Sequence, residues 1–355
     1  MLRTFALSAA VLSAASVPVF AEPPKVATDI APVHSLVSLV MGTVAEPSMI
    51  VRQGASPHDY SLRPSEARAV QNADLIVWVG PEFTPWLEKP LTSLADGVAT
   101  LELLGVPGTL QLGYRDLGDE DHDDHGGEGD HAEHGETTEH EEHEEHKVHD
   151  DHDEHAGHDD HAVHEDHADH ADEGSEDDHA GHDHDGVDPH AWLDPRNAQV
   201  WLTAIAENLA ELDPDNAETY RANAKAAIEG LKAQEAALLD QLKTMSGQSY
   251  VAFHDAYQYF ENRFGLRIAG TVALGDASDP SPARVAALRD RIVEKGVVCA
   301  LAEPQYDPRL LQAATETGDV KIGVIDPLGS TLDTGPDLYG QLLAAMAAEF
   351  AACTE

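Results

Sequence analysis

Two series of short apolar runs, each run closed by a turn and followed by a helix-period stretch, divide this chain into halves of like design. In the first half, residues 25–30, 47–51, 74–80 and 99–103 read as strands. The third of these, Asp-Leu-Ile-Val-Trp-Val-Gly, is apolar almost throughout, as expected of a strand covered on both faces. Between them, 33–41 and 64–73 carry helical patterns, and 81–87 and 90–94 read as short helical turns. Asp194-Pro195 then supplies an N-cap and a proline at the first helical position, opening a helix to Leu212. The same device at Asp213-Pro214 opens a second helix over 215–245, roughly 45 Å long at 1.5 Å per residue. The second half resumes the alternation, with strands at 249–253, 266–274, 297–302 and 321–325 and helices at 256–264, 282–295, 308–317 and 338–352. Strands alternating with helices in both halves predict an α/β protein of two lobes with mainly parallel sheets, joined by a long rigid helix. The expected division is an N-terminal lobe over 22–212, a linking helix over 213–245 and a C-terminal lobe over 246–355.

One tract breaks this pattern. Residues 119–186 contain 18 of the 22 histidines and 30 of the 66 acidic residues, against one base, Lys147. Eleven of the histidines fall at every third position: His140, His143, His146, His149, His152, His155, His158, His161, His164, His167 and His170. With scarcely a large apolar side chain, the tract cannot bury enough surface to offset the entropy of ordering it, and it reads as a disordered loop within the N-terminal lobe. Neutral imidazole is the commonest metal ligand, so the tract reads as a collector of divalent metal; an acidic, solvated linker is the plainer alternative. The tract also accounts for most of the net charge of −45. Such a charge argues against nucleic acid and for cations as partners.

The first 21 residues have the form of a secretory signal, with Arg3, an apolar stretch and a Val-Phe-Ala cleavage site ending at Ala21. No later run approaches the length of a membrane span. The expected product is an exported, soluble protein, and a monomer. Export permits a disulfide between the two cysteines, Cys299 and Cys353, with two free buried thiols as the alternative.

Only His34, His58, His190 and His254 lie outside the tract. In open α/β sheets, ligands bind beyond the carboxyl ends of the strands. His254 directly follows one apolar strand and Asp326 another; His58 lies in the loop after a third, and His190 in a Pro-flanked turn before a capped helix. Three imidazoles and a carboxylate fill a tetrahedral zinc site. A manganese site would exchange imidazole for carboxylate. Glu303, also after a strand, is a rival to Asp326, and a water is another. The neighbouring acids Asp59, Asp188 and Asp255 are candidates to hold the second ring nitrogens. His34, near the start of the first helix, is expected to be structural.

Three motifs carry a resemblance. Ser-Pro-His-Asp-Tyr-Ser-Leu-Arg-Pro-Ser around His58, Asp-Pro-His-Ala-Trp-Leu-Asp-Pro around His190 and Ala-Phe-His-Asp-Ala-Tyr around His254 resemble, in order, the ligand motifs of the periplasmic zinc-binding proteins of ABC transporters, of the TroA-like group. Cys299 with Cys353 is similar to the disulfide arrangement of that family, and Asp326-Pro327-Leu328-Gly329 falls where relatives carry an aspartate ligand. Some members place a glutamate immediately before the first histidine; here that position is Pro57. The resemblance implies a metal site in the cleft between two lobes, capture of Zn2+, and delivery to a membrane permease served by a separate ATPase subunit. It implies no enzyme activity. A manganese carrier of the same family, an exported zinc-storage protein and an exported zinc enzyme are the alternatives.

Overall fold

The computed structural model describes residues 22–115, 117, 186–273, 281–316 and 319–353. The expected signal segment lies outside them, as does all of the His-rich tract except Gly186.

The N-terminal sheet consists of β1 (Val26–Thr28), β2 (Ser48–Met49), β3 (Leu75–Trp78) and β4 (Ala99–Glu102). All neighbours are parallel, in the order β2-β1-β3-β4. Every residue of β3 is buried, which is what its unbroken apolar run requires. Helix α1 (Ala31–Met41) and α2 (Pro64–Gln71) form where the pattern places them. The two turns expected at 81–87 and 90–94 are instead one helix, α3 (Pro85–Leu94), which runs through Pro90. Proline forfeits one helical hydrogen bond there. Leu87 and Leu91, one turn apart on either side, are both buried and hold the helix against the sheet across that gap.

Asp194 caps α4 (Pro195–Leu212) by accepting from the Arg196 amide at 2.8 Å. After a single 3-10 turn, α5 (Ala217–Leu242) runs for 26 residues and packs against α1, α4 and α9 (Leu338–Ala352), so it touches helices of both halves. Its buried face is narrow: Tyr220, Ala224, Leu231, Leu238 and Leu242, with Glu235.

The second sheet repeats the first. It contains β5 (Tyr250–Ala252), β6 (Ile268–Thr271), β7 (Cys299–Ala302) and β8 (Lys321–Val324), all parallel, in the order β6-β5-β7-β8. Helices α6 (Gln258–Phe264), α7 (Pro282–Glu294) and α8 (Pro308–Thr315) connect them. Cys299 and Cys353 form a disulfide, with Cα atoms 5.5 Å apart, that ties β7 to the end of α9. One apolar core runs through both halves, from Val33 and Leu36 of α1 through Trp201, Ile205 and Leu209 of α4 to Leu342 and Phe350 of α9.

The chain on either side of the His-rich tract is held together. Gly113 and Val187 form an antiparallel bridge. The Tyr114 amide donates to the Gly186 carbonyl at 3.2 Å and the Asp188 amide to the Leu112 carbonyl at 2.8 Å. No helix among the described residues is long and apolar enough to cross a membrane.

Candidate metal centre

Three of the four non-tract histidines meet. His254 stands two residues beyond β5, His190 in the turn before the Ala191–Leu193 3-10 segment, and His58 in the irregular loop between β2 and α2. One nitrogen from each ring lies within 4.8 Å of the others. Ring centroids are 5.5 Å apart for His190 and His254, 5.9 Å for His58 and His190, and 6.4 Å for His58 and His254. Tetrahedral zinc with Zn–N bonds of about 2.05 Å sets its nitrogens ~3.3 Å apart. The three nitrogens therefore need to close by no more than about 1.5 Å to share an ion.

The rings line a small, partly open pocket, walled on its apolar side by Phe83, Trp192 and Leu328. Phe83 packs edge-on to His58, with centroids 4.8 Å apart, and to Trp192 at 4.7 Å. His190 and His254 are buried and His58 is half-buried. The apolar wall limits solvent access to one side of the imidazoles, and such a shell tunes the properties of a metal site.

Two rings have their tautomer set by a carboxylate. His190 Nδ1 is 2.8 Å from Asp188 Oδ1, which also accepts from the His190 amide at 3.0 Å. His254 Nδ1 is 2.7 Å from Glu303 Oε1, which accepts from the His254 amide at 3.3 Å. An ionised carboxylate only accepts, so each Nδ1 carries the proton and the lone pair sits on Nε2. Asp188 is thus the partner that its position beside His190 suggests. Asp255 is not the partner of His254. It turns away to Arg115, whose Nε and Nη2 bond it at 2.9 and 2.6 Å, and Arg115 also engages Glu261. Burial opposes the Arg115 charge, but the two carboxylates outweigh it and hold the guanidinium well above its usual value. Glu303 takes the place of Asp255 because β7 lies beside β5, so the residue after β7 faces the residues after β5. Its position after a strand was the available signal; the pairing of those two strands was not.

Asp326 is not brought into the cluster. Its Oδ1 accepts from the Leu328 amide at 3.0 Å and Gln305 Nε2 at 3.1 Å. Its Oδ2 accepts from the Ser330 amide and, at 2.6 Å, from the Ser330 hydroxyl. A carboxylate that holds two amides, a hydroxyl and a side-chain amide is the staple of the Pro327–Gly329 turn, and its lone pairs are directed there. His34 is remote from the pocket: its Nε2 lies 3.1 Å from the Pro47 carbonyl, and burial lowers its pKa. The eleven periodic histidines of the tract lie outside the described residues.

Comparison with known proteins agrees with this architecture. Residues 26–353 match the family described as ZnuA, zinc-uptake complex component A, periplasmic. The chain is 46% identical to the high-affinity zinc uptake system protein ZnuA of Paracoccus denitrificans, over 97% of this chain and 96% of that one. It is 39% identical to the protein of the same description from Brucella abortus, over 92% and 91%. A crystal structure of ZnuA shares the fold, with a TM-score of 0.66 over 94% of this chain and 100% of that one at 20% identity. A family match across both lobes, with relatives aligned nearly end to end, means that the chain belongs to the ZnuA family of periplasmic zinc-uptake components.

Proposed function

We propose that this chain captures Zn2+ in the periplasm through His58, His190 and His254 and hands it to the membrane permease of an ABC importer, whose ATP is hydrolysed by a separate subunit. The observation that carries this reading is the convergence of three imidazole nitrogens within 4.8 Å in a pocket with an apolar wall. Three nitrogen donors suit zinc better than manganese, which favours carboxylate and water. Family members are transport components rather than enzymes. With the Asp326 carboxylate engaged in its own turn, the fourth position of the tetrahedron falls to a water. Cleavage after Ala21 releases the mature protein, which acts as a monomer. The tract over 119–186 gathers further ions and raises their concentration near the pocket.

The test is zinc stoichiometry and affinity, by competition with a chelator, on the mature chain lacking residues 119–185. One tight ion per chain is expected, lost when any one of His58, His190 or His254 becomes Ala. Absence of a tight ion from that shortened chain would overturn the reading and make the tract the functional binder.

A further inference from the structure

Two segments far apart in the chain line the histidine pocket from different sides. One is the loop 52–60, which contributes Pro57 and His58. The other is the turn 326–332 after β8, which contributes Pro327 and Leu328. Each is braced locally. In the loop, the Ala55 amide donates to the Arg52 carbonyl at 3.0 Å, and the His58 amide lies 3.4 Å from Ser56 Oγ. Arg52 donates to the Tyr60 hydroxyl through its amide and its Nε, at 3.4 and 3.2 Å. The Tyr60 hydroxyl donates to Glu66 at 2.7 Å, and Trp86 Nε1 to the Pro57 carbonyl at 2.6 Å. In the turn, Asp326 holds Leu328 and Ser330, and the Leu332 amide donates to the Gly329 carbonyl at 3.1 Å. Trp192 Nε1 also reaches the turn, at the Pro327 carbonyl.

Gln53 joins the two segments directly. Its Nε2 donates to the Gly329 carbonyl at 2.9 Å and to the Leu332 carbonyl. Carbonyls only accept, so it is the amide nitrogen and not Oε1 that faces them. A primary amide has two N–H donors on one atom, and here the two acceptors are the two ends of one turn. A single side chain therefore fixes the loop to the turn at two points. Solvent reaches the pocket on the side of His58, which is half-buried where His190 and His254 are buried. Gln53 lies five residues before His58, on the same loop.

We infer that Gln53 is a positioning residue for the metal site: by latching the loop 52–60 to the turn 326–332 it holds His58 in place for a divalent cation and lengthens the time the cation stays. This rests on the metal-site reading above. With the latch made, the loop keeps its place before an ion arrives, and little freedom is lost on binding. With the latch removed, the loop must be ordered at each binding event. Costs of that kind fall mainly on the dissociation rate, because association is limited by encounter.

The test uses the full mature chain loaded with one equivalent of Zn2+. Release is followed after addition of excess chelator, capture by rapid mixing, and amide hydrogen exchange is read over 53–60 and 328–332. Gln53→Met keeps the side chain's length and removes both donors. It is expected to release zinc about tenfold faster, with capture unchanged and affinity lower in the same ratio. Both segments should exchange faster in this variant, because each loses its hold on the other. Gln53→Asn, with the same donors on a shorter arm, should recover part of the effect. Gln53→Glu sets a carboxylate against the two carbonyls and should speed exchange at both segments; its charge also attracts the cation, so exchange is its readout. Release from Gln53→Met at the unaltered rate overturns the inference. So does a rise in both rates with affinity unchanged, which would make Gln53 a gate. Faster exchange at 53–60 alone overturns it too, since Gln53 would then act only within its own loop. All three outcomes leave the metal site standing. Failure of the unaltered chain to hold one tight ion overturns the metal-site reading and this inference together.

Discussion

The two sheets have the same strand order and put different chemistry at the same place. In each, the first strand is flanked by the second and third, so the crevice lies where the chain departs in opposite directions from neighbouring strand ends. In the N-terminal sheet that crevice is filled by Asp29, one residue beyond β1. Its Oδ1 accepts from the Ile30 amide and its Oδ2 from the Val79 amide just past β3, each at 2.8 Å. In the C-terminal sheet it is filled by His254 and Glu303, beyond β5 and β7. One lobe uses its crevice for internal bonding and sends its histidine out on a loop; the other mounts its histidine on the sheet. Identical topology therefore yields one histidine on a loop and one just beyond a strand, and the difference lies in a few residues at strand ends.

The lobes also differ in covalent reinforcement. The Cys299–Cys353 bond spans 54 residues of the C-terminal half, and the N-terminal half has no cysteine. Replacing both by Ala is expected to remove about 4 kcal/mol from the C-terminal lobe, on the chain-entropy account. Urea unfolding should then separate into two transitions with the C-terminal lobe first; a single unshifted transition would refute this. Asp29 is next in size. Burial pushes its carboxyl up to about 7 from the ordinary 3.8, despite the two amide bonds. The folded chain keeps a proton that the unfolded chain gives up, so this group favours folding below pH 4, and that contribution is lost as the pH rises through 7. The stability of the unaltered chain relative to Asp29→Asn is expected to fall by roughly 2–4 kcal/mol between pH 4 and pH 8. A pH-independent difference in denaturation midpoint would show that the carboxyl does not titrate in this range.

Glu303→Gln probes the matching position of the other sheet. Zinc affinity is expected to drop about 10- to 100-fold, as for other residues that orient a metal-binding histidine. Asp29→Asn should leave affinity unchanged, and equal losses from both substitutions would abolish the distinction between the crevices. The smallest effect is expected at the edge strands. By register, Ile322 and Val324 of β8 correspond to Thr100 and Glu102 of β4, and both apolar side chains are about half exposed. Ile322→Thr with Val324→Glu is expected to change stability by no more than about 0.5 kcal/mol per site. A larger loss in thermal denaturation would mean that the exposed face contributes to packing.

Much of this was legible in the sequence where one local rule sufficed. The apolar run of β3, the Asp-Pro start of α4 and the strand-end placement of His254 each follow from neighbours within a few residues. What was not legible depended on distant partners. Asp255 and Asp326 both follow apolar strands and look alike in sequence. Their roles are decided by Arg115, 140 residues away, and by the amides of a turn that Asp326 itself closes. Pro90 marks a break by its chemistry and is overridden by the burial of Leu87 and Leu91. The segment around His190 is bonded by Tyr259, Arg263, Tyr339 and Asn197, none of which advertises a metal site.

The bridge between Gly113 and Val187 makes the insert an interchangeable part. Because the two ends are clasped together, and the clasp stands three residues before His190, the pocket senses where the insert begins and ends and is insulated from its length. Closing a chain between fixed ends becomes harder only with the logarithm of its length, about 0.6 kcal/mol for each doubling. Its histidines can therefore be multiplied, thinned or traded for a reporter domain with little effect on the fold, and the insert can be varied independently of the pocket.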